Sequence, residues 1–586
     1  MPRNFASFPN LVSQVFLPRA AALALLELTL VLAWTSDTWA QQPAAAPRYD
    51  PRQTEKSIET LQSEQERRKP PVRLPSAPAL SVSGADTRPM FRLRAVSIEG
   101  AQAVPAETIA AAYQPYLGKT VSKADLASIA VAITELYRAA GFSLSRAIVP
   151  PQDINNGRIR IKVIEGYVAE FVLKGDDIDR FGIRPFLAKI IEERPLQLKT
   201  LERQLMLVND IPGVRVADTA FEEIGTTSGK FRLVVRIKTW RIFAGFGFDN
   251  MGAYAVGPYE AFATSAFNSY FLPGDSLGFS ASTTPVSVRE FGFGRLWYDT
   301  PVGADGVRLG ANALYSNVAP SDIRSQTNTH TITETYEARA SYAPFESRAS
   351  VLLLTGAAGF SDSWERDVFG MTYKDRLRMV SLTADYRLQD NFGGRNYLSV
   401  TGRQGLNVFG ASSKQDLDSS RPGASPNFSL LSFSFSRLQQ LSGPWSVKIS
   451  ATGQWAGGPL LISQQFYLGD AAYGPGFYSG DSGILGYGEL RFDQTVSNAI
   501  LKGYEVYGFF DKGAVWSFDN GGQVLSIASA GVGIRFFFAD DWQAGLGVGL
   551  PVRAGTTQSD VNSARFLFTL VKSLQLCPQH ANWRCS

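Results

Sequence analysis

Between Arg241 and Leu574 the chain alternates apolar and polar residues with a period of two, and no helical period interrupts it. Trp445, Val447, Ile449, Ala451, Gly453 and Trp455 alternate with Ser446, Lys448, Ser450, Thr452 and Gln454. Trp542, Ala544, Leu546, Val548 and Leu550 alternate with Gln543, Gly545, Gly547 and Gly549. Such a period places one set of side chains on each face of a strand. A soluble β-sandwich alternates in the same way, and the Trp pair separates the two cases. Ten residues at ~3.3 Å rise span about 33 Å. Tilted by roughly 40°, they project to about 25 Å, the height of the lipid-facing band between the aromatic girdles of an outer-membrane barrel. The polar face would then line a lumen. Lipid cannot satisfy an open sheet edge, so these strands must close on themselves. Residues 240–574 suffice for sixteen strands of about 21 residues each, loops included, which predicts a transmembrane antiparallel β-barrel of 16 strands.

Composition removes several function classes. The 57 Lys+Arg and 53 Asp+Glu nearly balance, which gives no charge argument for a nucleic-acid partner. A mean hydropathy of −0.06, with no long apolar run beyond the N-terminus, excludes a helical membrane protein. Only two histidines (His330 and His580) and two cysteines (Cys577 and Cys585) are present, too few for a multi-His mechanism or a zinc site. His330 lies on an alternating stretch and reads as a strand or loop residue. No G-x-x-x-x-G-K-[ST] loop is evident. No enzyme, metal or cofactor is expected.

The N-terminus predicts export. Arg3 and Arg19 flank a polar start, Ala20 to Trp34 is almost entirely apolar, and Thr38-Trp39-Ala40 offers small residues for cleavage before Gln41. Residues 1–40 therefore read as a signal peptide. Gln41 to Asp50 is a Pro/Ala linker. Arg52 to Lys69 consists of helix formers with Ile58 and Leu61 as its only aliphatic residues, a helix suited to water or a wet cavity. Pro70, Pro71, Pro75, Pro78 and Pro89 make 70–90 an extended linker. At the other end, 575–586 form a tail in which Cys577 and Cys585 enclose seven residues, close enough for a local disulfide in an exported protein.

Residues 91–239 mix two periodicities. Phe91 to Glu99 is a strand pattern, Ala106 to Tyr116 and Ser122 to Ala140 are helical, and Leu144 to Val149 and Arg158 to Ile164 are strands again. The order then repeats: strand Ala169 to Lys174, helices near Pro185 to Glu193 and Lys199 to Asn209, strands Arg215 to Phe221 and Lys230 to Lys238. A β-α-α-β-β module in tandem follows, over 91–164 and 165–239. Each packs two helices on a small sheet and leaves edges to which an extended partner can add a strand.

On these residues rests a family resemblance. Tyr137-Arg138-Ala139-Ala140-Gly141-Phe142, Arg146-Ala147-Ile148-Val149-Pro150-Pro151-Gln152, Gly157 and Val163-Ile164-Glu165-Gly166 resemble the first POTRA module of two-partner secretion transporters, which export haemolysins and filamentous haemagglutinins. Leu201-Glu202-Arg203-Gln204-Leu205 and Leu207 to Gly213 are similar to the second module. Asp249-Asn250, Gly252, Gly257 and Pro273-Gly274-Asp275 are similar to the first barrel hairpins. The resemblance covers about 90 to 574.

It implies a periplasmic pair of POTRA modules and an outer-membrane barrel. An unfolded exoprotein of β-helical adhesin or haemolysin type would dock on the modules, thread the barrel without ATP, and fold outside. The Arg52 to Lys69 helix would occupy the lumen at rest, and neither nucleic acid nor a cofactor is an expected partner of the chain. For docking, the strand region around Ser145, Arg146, Ile148 and Gln152, with Arg158 and Arg160, is the candidate. The translocase superfamily also carries Phe-x-Asp-x-Gly on an inner wall, here Phe509, Asp511 and Gly513. It pairs that Asp with an Arg at the tip of an inward loop. The matching tip here is Tyr473-Gly474-Pro475-Gly476-Phe477, with Pro475 where Arg is expected. Proline removes a five-donor fork and its own N–H. Asp511 then needs another cation (Arg491 and Lys512 are near in sequence), water, or exposure. The loop is expected to stay inward through packing of Tyr473, Phe477 and Tyr478. A barrel-assembly insertase usually has more modules, and a passive porin needs none; the tandem favours export.

Overall fold

The structure, a computed structural model, describes residues 72, 74–76, 86–225, 228–553 and 563–577. The signal peptide, the Arg52–Lys69 helix, His580 and Cys585 lie outside them.

The first unit runs strand Ala95–Glu99, helices Ala106–Tyr113 and Lys123–Ala139, strands Arg146–Ile148 and Arg158–Ile164. The last strand lies in the middle of the sheet, parallel to the first and antiparallel to the second. The predicted strand Phe91–Glu99 is broken in two. Phe91–Arg92 pairs with Thr120–Val121, and the intervening Leu93 and Arg94 donate instead to Lys119 and Gly157 carbonyls. The long helix begins at a capping box: Ser122 N–H donates to Asp125 at 2.7 Å and Asp125 N–H to Ser122 Oγ at 3.2 Å. Leu126, Ile129, Ile133 and Tyr137 then bury one face. It ends where Gly141 takes φ +91°, with Phe142 N–H donating to Tyr137 O and Gly141 N–H to Arg138 O. Only glycine adopts that conformation cheaply, and the paired bonds stop the helix.

The second unit repeats the topology with strand Tyr167–Lys174, helices Arg184–Glu192 and Leu198–Asn209, and strands Val214–Glu223 and Lys230–Thr239. Its core holds Phe181, Leu187, Ile190, Leu205, Phe231 and Leu233, and Val72 from the preceding linker joins that cluster. The units are fastened to each other by Leu198 N–H, which donates to Gly141 O at 2.8 Å.

From Ile242 to Leu576, sixteen antiparallel strands close into a barrel, the last (Arg565–Leu576) pairing with the first (Ile242–Asp249). Asn250 staples the seam, donating to Phe566 O at 2.7 Å and accepting from Phe568 N–H at 2.8 Å. The alternation resolves as two faces. Trp445 and Trp455 are 42% and 60% exposed on the outside, while Ser446 between them is 2% exposed. Beyond Leu576, Cys577 is buried with its Sγ 3.1 Å from Thr239 O, and it is disulfide-bonded.

Three successive turns at one end of the barrel grip the second unit. Arg180 donates to Ser269 O at 2.9 Å, Arg203 to Asp305 O at 2.8 Å, Lys189 pairs with Asp305, and Arg348 pairs with Glu202 at 3.2 Å. The Pro273-Gly274-Asp275 motif shapes the first of these turns. Asp275 is fully buried and accepts from the N–H groups of Tyr270 and Leu272 and from the Tyr298 hydroxyl at 2.8–3.0 Å.

Candidate functional site

One segment does not take its turn in the barrel. Strand Trp445–Ala456 pairs with Ser482–Thr495, and the residues between them form a separate hairpin, Phe466–Asp470 with Gly474–Gly480. That hairpin lies inside. On strand Leu501–Trp516, Val506 and Trp516 face outward and are exposed, whereas Phe509, Asp511 and Val515 on the other face are buried. Leu468, Ala472, Tyr473 and Tyr478 of the hairpin pack with Val515 and with Ile527 of the next strand. The inner wall is cut to receive them. A Cβ on Gly513 would strike Leu468, one on Gly483 would strike Phe466, and one on Gly549 would press on the Ala471–Ala472 peptide. The small-residue face of the barrel sequence is therefore a bed for the hairpin as well as a lumen lining.

At the tip, Tyr473 and Phe477 have ring centroids 4.8 Å apart, and Phe477 and Tyr478 4.7 Å. Pro475 sits between Gly474 and Gly476, both at positive φ. Asp511 is 4% exposed and has no cation partner among the described residues. Its carboxylate accepts from Ser529 N–H at 3.0 Å, from Ser529 Oγ at 2.6 Å, and from the backbone N–H of Ala471 at the tip. Three donors supply what a buried carboxylate requires. Arg491 pairs with Glu489 and Glu505 instead, alongside Arg535, which lies 3.8 Å over the Tyr507 ring. Lys512 belongs to the opposite face of its strand. The guanidinium beside the tip is that of Arg565, which the sequence reading did not single out. It donates to Asn250 O and Gly252 O at 2.7 Å, and a Cβ on Gly474 would lie 2.5 Å from its Nη1.

The six residues proposed for docking separate into two groups. Ser145 is buried, its Oγ accepting from Gly166 N–H at 3.1 Å. Arg146 makes a bidentate pair with Glu223 of the second unit, at 2.5 and 3.1 Å. Gln152 closes the hairpin by exchanging hydrogen bonds with the Arg160 backbone at 2.7 Å. Ile148 lies on the edge strand of the sheet, and the Arg158 and Arg160 side chains are exposed, Arg160 3.6 Å from Glu99. The Tyr137…Glu165-Gly166 motif is an internal hub. Glu165 accepts from Gln102 and Ala103 N–H at 2.6 Å and from the Tyr137 hydroxyl at 2.8 Å. Burial and that carboxylate together push the Tyr137 phenol well above its usual range.

Two family models match the chain. The POTRA domain, ShlB-type, matches residues 91–166, and the haemolysin secretion/activation protein ShlB/FhaC/HecB matches 232–536, just over half of the chain. The heme/hemopexin transporter protein HuxB of Haemophilus influenzae (strain Rd) is 23% identical over 511 residues, which is 82% of this chain and 87% of the relative. The outer membrane transporter CdiB of Escherichia coli is 21% identical over 194 residues, 33% of this chain and 32% of that protein. Solved structures of CdiB from Escherichia coli and Acinetobacter baumannii share the fold. Their TM-scores are 0.70 and 0.64 at 17% and 16% identity, each alignment covering 89% of this chain and 98% of the other.

Proposed function

Because this chain belongs to the haemolysin secretion/activation family ShlB/FhaC/HecB, we propose that it takes an unfolded exoprotein from the periplasm and passes it through its own barrel without ATP. It is an outer-membrane two-partner secretion transporter with its POTRA region in the periplasm, and it is not an enzyme. The client would be a large adhesin or haemolysin of β-helical type, docked by its N-terminal region on the first POTRA unit near Ile148, Arg158 and Arg160. HuxB is named for heme/hemopexin transport, and a client that serves haem acquisition is one member of that class.

The observation that carries this reading is the seating of the inward hairpin. It fills part of the lumen, yet it stays there through apolar and aromatic side chains laid on a glycine bed and a backbone bond to Asp511. Such a stopper can leave the lumen without unfolding the wall. The POTRA units, braced on three periplasmic turns, present their sheet edges at the entrance. Folding of the client outside the cell would supply direction. Comparison of surface and medium proteins with and without this chain tests the reading. Loss of one large exoprotein, trapped in the periplasm, is the expected result. A depleted set of outer-membrane barrels would indicate an insertase, and loss of small-solute permeability alone a porin.

A further inference from the structure

The inward hairpin is held at its neck more firmly than at its tip. Asp481, where the hairpin rejoins the wall, is fully buried. Its carboxylate accepts from Arg421 Nη1 at 2.5 Å and Nη2 at 3.0 Å, from Leu460 N–H at 2.9 Å and from Phe518 N–H at 2.9 Å. Leu460 lies at the start of the inward segment, so one carboxylate ties together both of its ends. Arg421 comes from a different extracellular loop, 406–428, and is itself 8% exposed. It also donates to Leu460 O at 3.0 Å and pairs with Asp519 at 2.7 Å. Ala424 and Phe428 of that loop bury against Leu460 and Leu461. Three loops therefore converge on one ion pair above the lumen.

We propose that Arg421 is a positioning residue for translocation, the catch that keeps the inward hairpin seated, and that passage of a client requires its release from Asp481. This rests on the export reading for its purpose, though the catch itself is a property of the empty channel. The physical basis is asymmetric. A buried carboxylate with a bidentate guanidinium is well satisfied, whereas the same carboxylate without it retains a charge that the site cannot solvate. Losing Arg421 therefore drives Asp481 toward water and carries both ends of the hairpin with it. Asp519 already shares Arg421 in the seated state, so the guanidinium keeps one carboxylate partner when Asp481 leaves.

The test reads the tip, not the neck. In the full chain carrying Ala472→Cys, the thiol at the tip is labelled with a membrane-impermeant maleimide from outside, with no exoprotein present. Arg421→Gln is expected to speed labelling by about tenfold or more, Arg421→Lys by less, and the exchange Arg421→Asp with Asp481→Arg to return it toward the starting rate. Heat-modifiable gel mobility verifies the barrel in each variant; if the exchange variant fails to fold, the Gln and Lys variants decide. Equal labelling rates in Arg421→Gln and the parent overturn the catch. An unchanged exoprotein profile in a strain lacking the chain would overturn the export reading instead, and leave the labelling result standing.

Discussion

Asp511 meets Ala471 through the backbone: the carboxylate on the barrel wall accepts the amide N–H at the hairpin tip. The contact requires no particular side chain at the tip. Pro475, which has neither a cationic group nor an N–H, lies four residues beyond the donor, between two turn glycines. Asp511 is thus satisfied without a cation, by Ser529 on the wall and the peptide of Ala471 at the tip, while Arg565 lies against Gly474.

Asp511→Ala leaves the Ser529 hydroxyl and the Ala471 N–H without an acceptor. Unsatisfied buried donors cost ~1–3 kcal/mol each, and only the Ala471 N–H belongs to the hairpin, so the seated tip is weakened by about 1–3 kcal/mol. Planar-bilayer recordings are expected to show more frequent channel openings than in the parent. Asp511→Asn keeps an acceptor oxygen and is expected to fall between the two.

Gly513→Val places a side chain where Leu468 now sits. It is expected to displace the hairpin and raise open probability, as overpacked sites do at about 1–3 kcal/mol. Adding Leu468→Ala removes the clash, so the double variant is expected to be quieter than Gly513→Val alone. That coupling, measured in the same bilayer assay, identifies direct contact.

Arg146 and Glu223 give a way to separate bracing from client recognition. Arg146→Ala removes a half-buried bidentate pair worth about 1 kcal/mol. The exchange Arg146→Glu with Glu223→Arg restores the bridge but reverses the charge on the first unit. Recovery of exoprotein secretion by the exchange assigns Arg146 to bracing; continued loss assigns it to the client.

Asp125 carries the pH dependence of the first unit. The Ser122 side chain, and then the Ser122 backbone N–H, hold its carboxyl below the usual range. A depressed folded-state pKa gives stability that is present above about pH 4, the unfolded value, and is lost as pH falls through the lower folded value. The helices of the first unit are Ala106–Tyr113 and Lys123–Ala139, so the difference in 222 nm circular dichroism between the parent and Ser122→Ala across the acid range reports this unit. Ser122→Ala is expected to destabilise it by ~1 kcal/mol and to flatten the acid limb of the signal.

Period and spacing carried the local structure. Trp445 and Trp455 marked the lipid face, and the helix ending at Gly141 could be read from its apolar spacing and its glycine. Phe91–Glu99 reads as one strand because nothing in its pattern shows that Leu93 and Arg94 bond to two different neighbours. The site was less legible for the same reason. Arg421 and Asp481 are 60 residues apart, and Arg565 and Asn250 315; side-chain pairs at such distances leave no trace in a periodicity. Ser145 and Arg146 stand among the docking candidates by sequence, and only the structure shows that they are taken up by Gly166 N–H and by Glu223. The glycines opposite Leu546 and Val548 were legible as a small face, but not as a bed for a hairpin that is distant in sequence.

The central claim is that an exoprotein passes through the lumen of this barrel. Tyr507 and Val506 are adjacent on one strand, the first facing the lumen and the second the lipid. A photo-crosslinking amino acid at each position, in cells secreting an exoprotein stalled by a folded C-terminal domain, measures the route directly. Adducts between the exoprotein and position 507, with none at 506, are the predicted result. Secretion that continues with no adduct at 507, or with adducts at 506 alone, would contradict the account.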